Sequence, residues 1–132
     1  MDCAEIIALS RLGEEIEREF KSSINWSDKH SQIKLIKSII AMSNIEDGGN
    51  IIIGVEQDHN DITYTPAGIN PLDLRSFNYD DVKDQVGKYA DPSANFSMYS
   101  LSCQGKEFLV FNVRTVNTVY FNNIGNRNIR SV

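Results

Sequence analysis

Residues 29–55 read KHSQIKLIKSIIAMSNIEDGGNIIIGV, and the change of texture around Asp47 decides the fold. Before it, Ile33, Ile36 and Ile40 fall at helical spacing, joined by Leu35, Ile39 and Met42. Lys34, Lys37 and Ser38 take the other side, which predicts an amphipathic helix over 29–44 capped by Ser27 or Asp28. After it, Ile51-Ile52-Ile53-Gly54-Val55 is apolar without alternation, so both faces of that strand are covered and it belongs in the middle of a sheet. Gly48 and Gly49 permit positive φ between the two and are read as a tight turn. They are not a phosphate cradle, because the loop meets the carbonyl end of the helix and carries neither G-x-x-x-x-G-K-[ST] nor G-x-G-x-x-G.

Working outward, Cys3 to Leu12 reads as a short helix ended by Gly13, and Glu17 to Ile24 as a short strand centred on Phe20 that runs into the loop 25–27. On the other side, Ile62 to Tyr64 is a short edge strand between polar connections. Tyr79 to Tyr89 is a helix with Asp80 and Asp81 in its first turn, stopped by Asp91-Pro92. Phe96 to Cys103 and Glu107 to Thr115 flank Gln104-Gly105-Lys106, a hairpin signal, and Val119 to Phe121 with Asn128 to Arg130 form a second, smaller hairpin. Helices inserted among strands, with antiparallel hairpins at the end, predict an α+β protein. The architecture is a two-layer α/β sandwich with a mixed sheet and C-terminal antiparallel hairpins, one domain over 1–132.

Composition agrees. The 132 residues are 41% hydrophobic and 23% charged, the balance of one globular domain rather than a disordered or membrane chain. A chain of this length buries roughly two-thirds of its unfolded surface without a staple. Cys3 and Cys103 are far apart and have no C-x-x-C companion, so neither a disulfide framework nor a zinc knuckle is read, and a reducing, cytoplasmic setting is expected. The acidic N-terminus and the lack of a long apolar run argue against export and membrane insertion.

Thirteen Lys and Arg against eighteen Asp and Glu give a net charge of −5, which disfavours binding nucleic acid by bulk electrostatics. The distribution is uneven. Lys21, Lys29, Lys34 and Lys37 stand against Asp28 alone in residues 21–40, and Lys106, Arg114, Arg127 and Arg130 against Glu107 alone in residues 104–132. Either segment suits a phosphate-facing surface if the fold gathers it, and either is otherwise a solvated face.

Glu14, Glu15, Glu17 and Glu19 form the acidic run before Phe20-Lys21. On a strand Glu17 and Glu19 share a side, and a turn brings Glu14 near, so Glu14 and Glu19 are candidate ligands for Mg²⁺ or Mn²⁺. Glu56 and Asp58, directly after the buried strand, are the candidates to complete a catalytic set that activates water for phosphodiester cleavage. An acidic run by itself is more often a solvated face. His30 and His59 lack metal-ligand spacing and are read as surface residues, and no Ser or Cys sits in a nucleophile signature. Trp26, Tyr64, Phe77, Tyr79 and Phe96 can stack on bases or serve as core and rim.

Several segments together resemble the Schlafen-type AlbA-like domain, also described as AlbA_2 or divergent AAA-4. They are Glu19-Phe20-Lys21-Ser22-Ser23, the helix Ile36 to Asn44, Gly48-Gly49-Asn50-Ile51-Ile52-Ile53-Gly54-Val55, Tyr89-Ala90-Asp91-Pro92, Gly105-Lys106 before Phe108 to Val113, and Val119-Tyr120-Phe121 with Ile129-Arg130-Ser131. The resemblance covers nearly the whole chain. It implies a two-layer α+β domain found in larger bacterial proteins beside helix-turn-helix or ATPase modules, and described as DNA-binding or divergent ATP-binding. In the animal branch it implies a metal-dependent endoribonuclease of two such lobes acting on structured RNA such as tRNA. The three carboxylates of that branch fall here on Glu14, Glu19 and Gln57, and the neutral amide of Gln57 departs from the pattern.

The leading function is therefore a nucleic-acid-binding module, for DNA or RNA, of a bacterial-type regulator or defence protein. Lys21, Lys34, Lys37, Arg127 and Arg130 would contact phosphates, with further modules of a longer chain beyond Val132. The alternatives are a metal-dependent nuclease using Glu14, Glu19 and Glu56 or Asp58, its groove restored by homodimerisation, and a protein-interaction or oligomerisation domain.

Overall fold

The computed structural model describes residues 1–115 with their side chains, together with the backbone of the strand segments 119–123 and 126–131. Its centre is a four-stranded mixed sheet of β1 (Arg18–Lys21), β2 (Gly49–Ile53), β7 (Lys106–Arg114) and β6 (Asn95–Cys103), in that order. β1 runs parallel to β2 through the connecting helix α2 (Lys29–Ser43), and the remaining pairs are antiparallel. The buried Ile51–Ile53 run lies inside the sheet, as its lack of alternation predicts. β1 is an edge.

The β-period sorts the core into two clusters. Ile51, Ile53, Leu109, Phe111 and Val113 face α2 and α4 (Tyr79–Tyr89), and meet Leu35, Ile36, Ile39, Val82 and Val86 there. Phe20, Ile52, Phe108 and Val110 face the other way, against Ile6 of α1 (Cys3–Leu12) and the hairpin of β3 (Val55–Gln57) and β4 (Tyr64–Pro66). The α+β expectation holds, with sheet and α2/α4 as its two main layers and α1 as a partial cover on the far side.

Local chemistry explains the element ends. Asp28 caps α2 by accepting from the Ser31 N–H at 3.0 Å, and Gly13, at φ 86°, ends α1. Gly48 takes φ 65° in the turn before β2, and Gln104 and Gly105 take φ 54° and 77° in the β6–β7 turn. Sequence reading missed α3 (Pro71–Ser76), although Asn70 followed by Pro71 is a helix-start signal; the Asn70 side chain accepts from the Asp73 N–H at 2.8 Å. The expected edge strand at 62–64 is displaced to β4, because residues 58–63 form the loop that joins it to β3. The last strands, β5 (Ala90–Asp91), β8 (Val119–Asn123) and β9 (Asn126–Ser131), form a small antiparallel sheet that includes the second predicted hairpin.

One expectation is overturned. Cys3 and Cys103 are joined by a disulfide, because α1 packs on the end of β6 and brings their Cα atoms to 4.9 Å across a separation of 100 residues. Sequence distance said nothing about spatial distance.

Candidate functional site

The site grows from the carboxyl ends of the parallel pair β1 and β2. Arg18 opens β1 with its guanidinium largely buried: Nε donates to the Gly13 carbonyl at 2.7 Å, and the head lies 3.9 Å from Glu15 and 3.8 Å from Glu17. This arginine folds residues 13–17 back over the strand, and so aims Glu14. One Glu14 oxygen accepts from the Phe20 N–H at 2.9 Å, and the other accepts from the Tyr64 hydroxyl at 3.3 Å. The Tyr64 ring packs edge-on against Phe20 with centroids 5.1 Å apart. Burial pushes the Tyr64 phenol above its usual value, and the Glu14 carboxylate beside it pushes the same way.

Beyond this corner lies an open cleft of about 920 Å³, lined by Glu14, Phe20, Ser22 and residues 55–60 and 64–65. Glu56 and Gln57 are exposed on its wall, and the Gln57 amide donates to the Asp61 carbonyl at 3.1 Å. Asp58 is committed to the loop: its two oxygens accept from the Thr63 hydroxyl at 2.5 Å and the Thr65 hydroxyl at 2.6 Å. Those hydroxyls, with a smaller effect of His59, hold the Asp58 carboxyl below the usual carboxylate value.

Strand alternation sends Glu19 and Lys21 to the opposite face of the sheet. Their register partners there are Ile51 and Ile53, which pack toward α2. Glu19 accepts from the Ser38 hydroxyl at 2.7 Å and pairs with the Lys21 ammonium at 2.8 Å. Lys21 in turn lines a second cavity of about 230 Å³, with Ser22, Ile24, His30, Ser31 and Lys34. His30, Lys34 and Lys37 follow at i, i+4 and i+7 along one exposed stripe of α2, a helix without a single Asp or Glu.

The structure thus divides the predicted residues. Glu14, Glu56 and Asp58 line the cleft, whereas Glu19 lies on the other face, held by Ser38 and Lys21. Among the described residues no group of three or more His, Cys, Asp and Glu side chains is placed to hold a metal ion. With Glu19 turned away, Asp58 doubly engaged and Gln57 neutral, these residues do not fit a three-carboxylate metal site. Lys21 and Lys34 are brought together, with Lys37 one turn further on. The Arg127 and Arg130 side chains lie outside the described residues. Trp26 and Phe96 belong to the core, and only Tyr64 of the five aromatic candidates lines the cleft. In the sequence Ser22 reads only as part of the Glu19–Ser23 segment and His30 only as a surface residue, because nothing there shows that the two meet beside Lys21.

The family model described as Schlafen, AlbA_2 matches residues 14–131. The chain belongs to that family. Two solved structures show the same fold. The DIP2311 protein of Corynebacterium diphtheriae is 14% identical with a TM-score of 0.51 over 82% of this chain. The second is the N-terminal domain of a Nitrosomonas europaea protein described as related to the ATP-dependent DNA helicase RecG; it is 21% identical with a TM-score of 0.52 over 87% of this chain. This chain spans 21% of the first structure and 71% of the second. No curated protein matches it. Among the described residues no helix is long and apolar enough to cross a membrane.

The AlbA_2 match begins at Glu14, so α1 and its half of the disulfide precede the matched region. The matched region contains the Arg18-organised corner, the cleft and the basic stripe.

Proposed function

We propose that this AlbA_2 domain binds nucleic acid through the basic stripe of α2 and the cavity beside it. The observation that carries the reading is the convergence of Lys21, His30 and Lys34 on one cavity of about 230 Å³ at the first turns of a helix whose own residues, after the capping Asp28, include no carboxylate, in a chain of net charge −5. Lys37 extends the stripe, and Arg127 and Arg130 are proposed as further phosphate contacts. The RecG-related description of one structural neighbour is in keeping with work on nucleic acid, as is the family. The test is retention of labelled tRNA and of single- and double-stranded DNA by the purified domain in the absence of divalent metal. Lys34→Glu is expected to abolish retention; retention undiminished by that reversal would overturn the assignment.

A further inference from the structure

The two cavities share a lining residue. Ser22, the first residue past β1, lines both the cationic cavity on the α2 face and the large cleft on the opposite face. β1 is a sheet edge, so a chain can cross from one cavity to the other over Ser22 without passing through the protein. Their chemistries are complementary halves. The smaller is built from Lys21, His30 and Lys34, whereas the larger contains no Lys or Arg and offers amides, hydroxyls, the Tyr64 ring and carboxylates.

Resting on the nucleic-acid reading above, we propose that the end of β1 seats one nucleotide of a single strand astride Ser22. Its phosphate lies among Lys21, His30 and Lys34, and its base enters the 920 Å³ cleft, a volume within the range of ligand sites. The lining selects the base. Both Asp58 oxygens accept from threonines, and both Glu14 oxygens are engaged by Phe20 and Tyr64. Glu56 is exposed at the wall, and its carboxylate has no hydrogen bond or ion pair among the described residues. An acceptor-only carboxylate complements an exocyclic amino group, as on cytosine, and repels the carbonyl that thymine presents at the same position. Tyr64, half-buried at the cleft wall, supplies a ring for the base to rest on.

The test compares fluorescein-labelled ten-nucleotide dC and dT oligomers, by anisotropy in EDTA. The wild-type domain is expected to prefer dC by about tenfold, the discrimination of one well-placed base contact. Glu56→Ala, an exposed substitution that leaves the fold intact, is expected to equalise the two affinities while leaving their salt dependence unchanged. Equal wild-type affinities with a normal salt dependence would overturn the base site alone. A preference for dC that survives Glu56→Ala would overturn the assignment of that residue; failure to bind either oligomer by a domain that retains tRNA or duplex DNA would overturn this inference alone, and failure to retain any of them would overturn the reading beneath it as well.

Discussion

Gly49 begins β2 where the chain passes close to the loop that aims Glu14. A Cβ placed on it would lie 2.3 Å from the Glu17 carbonyl oxygen and 2.8 Å from the Met42 sulfur. That oxygen accepts the Asn50 N–H at 3.0 Å, the bond that joins the 13–17 loop to β2. Gly49→Ala must therefore either push the loop off or push β2 toward α2, where Met42 is 3% exposed and has no room to yield. Overpacking of this kind costs about 1–3 kcal/mol, and loss of the hydrogen bond adds about 1 kcal/mol. The smaller conformational freedom of the unfolded alanine chain offsets about 0.4–1 kcal/mol. A net loss of about 2–3 kcal/mol remains, a fall in Tm of about 10 °C for a domain of this size. Gly87 is the internal control: it is exposed within α4, and its Cβ would meet nothing within 4 Å. Gly87→Ala should raise stability by about 0.5–1 kcal/mol. The assay is urea unfolding of both variants followed by Trp26 fluorescence. A Gly49→Ala midpoint equal to wild type would refute the claimed close approach.

Two further outcomes follow from the same geometry. Because burial and Glu14 raise the Tyr64 pKa above its unfolded value near 10, the stability that this phenol contributes is present below that pH and is lost as pH rises through the folded value. Absorbance at the tyrosinate band should show late ionisation from Tyr64 and also from Tyr99, which burial and Glu5 raise; Glu14→Gln should advance the first and leave the second. Reducing the Cys3–Cys103 bond opens a closure of 100 residues and should cost about 2–4 kcal/mol. Urea midpoints with and without a dithiol reductant check it, and a Cys3→Ser variant insensitive to reductant confirms the source.

The core of the fold was legible because periodicity records burial directly. The three isoleucines of β2 and the i, i+3, i+4 pattern of α2 each declare which faces are covered, and turn chemistry placed the β6–β7 hairpin to within a residue. What escaped depends on distance in space. The disulfide arises only when α1 docks on β6. The parting of Glu14 from Glu19 arises because Arg18 folds the loop back on one face while strand alternation turns Glu19 to the other. Asp58 looked available in the sequence, yet its hydroxyl partners Thr63 and Thr65 reach it only across the turn of a hairpin. The basic residues were readable as types, but their convergence was not: Lys21 meets His30 and Lys34 because the β1–α2 connection folds the helix back over its own strand.

The most direct test of nucleic-acid binding is the slope of log affinity against log salt for a dC oligomer, measured without metal. Lys21, Lys34 and Lys37 together predict a slope of about −2, at roughly −0.7 for each phosphate contact on a single strand. Engagement of Arg127 and Arg130 as well would steepen it to about −3.5. Lys34→Ala/Lys37→Ala should flatten either slope by about 1.4. A slope untouched by that double substitution, or binding indifferent to salt, would contradict the account.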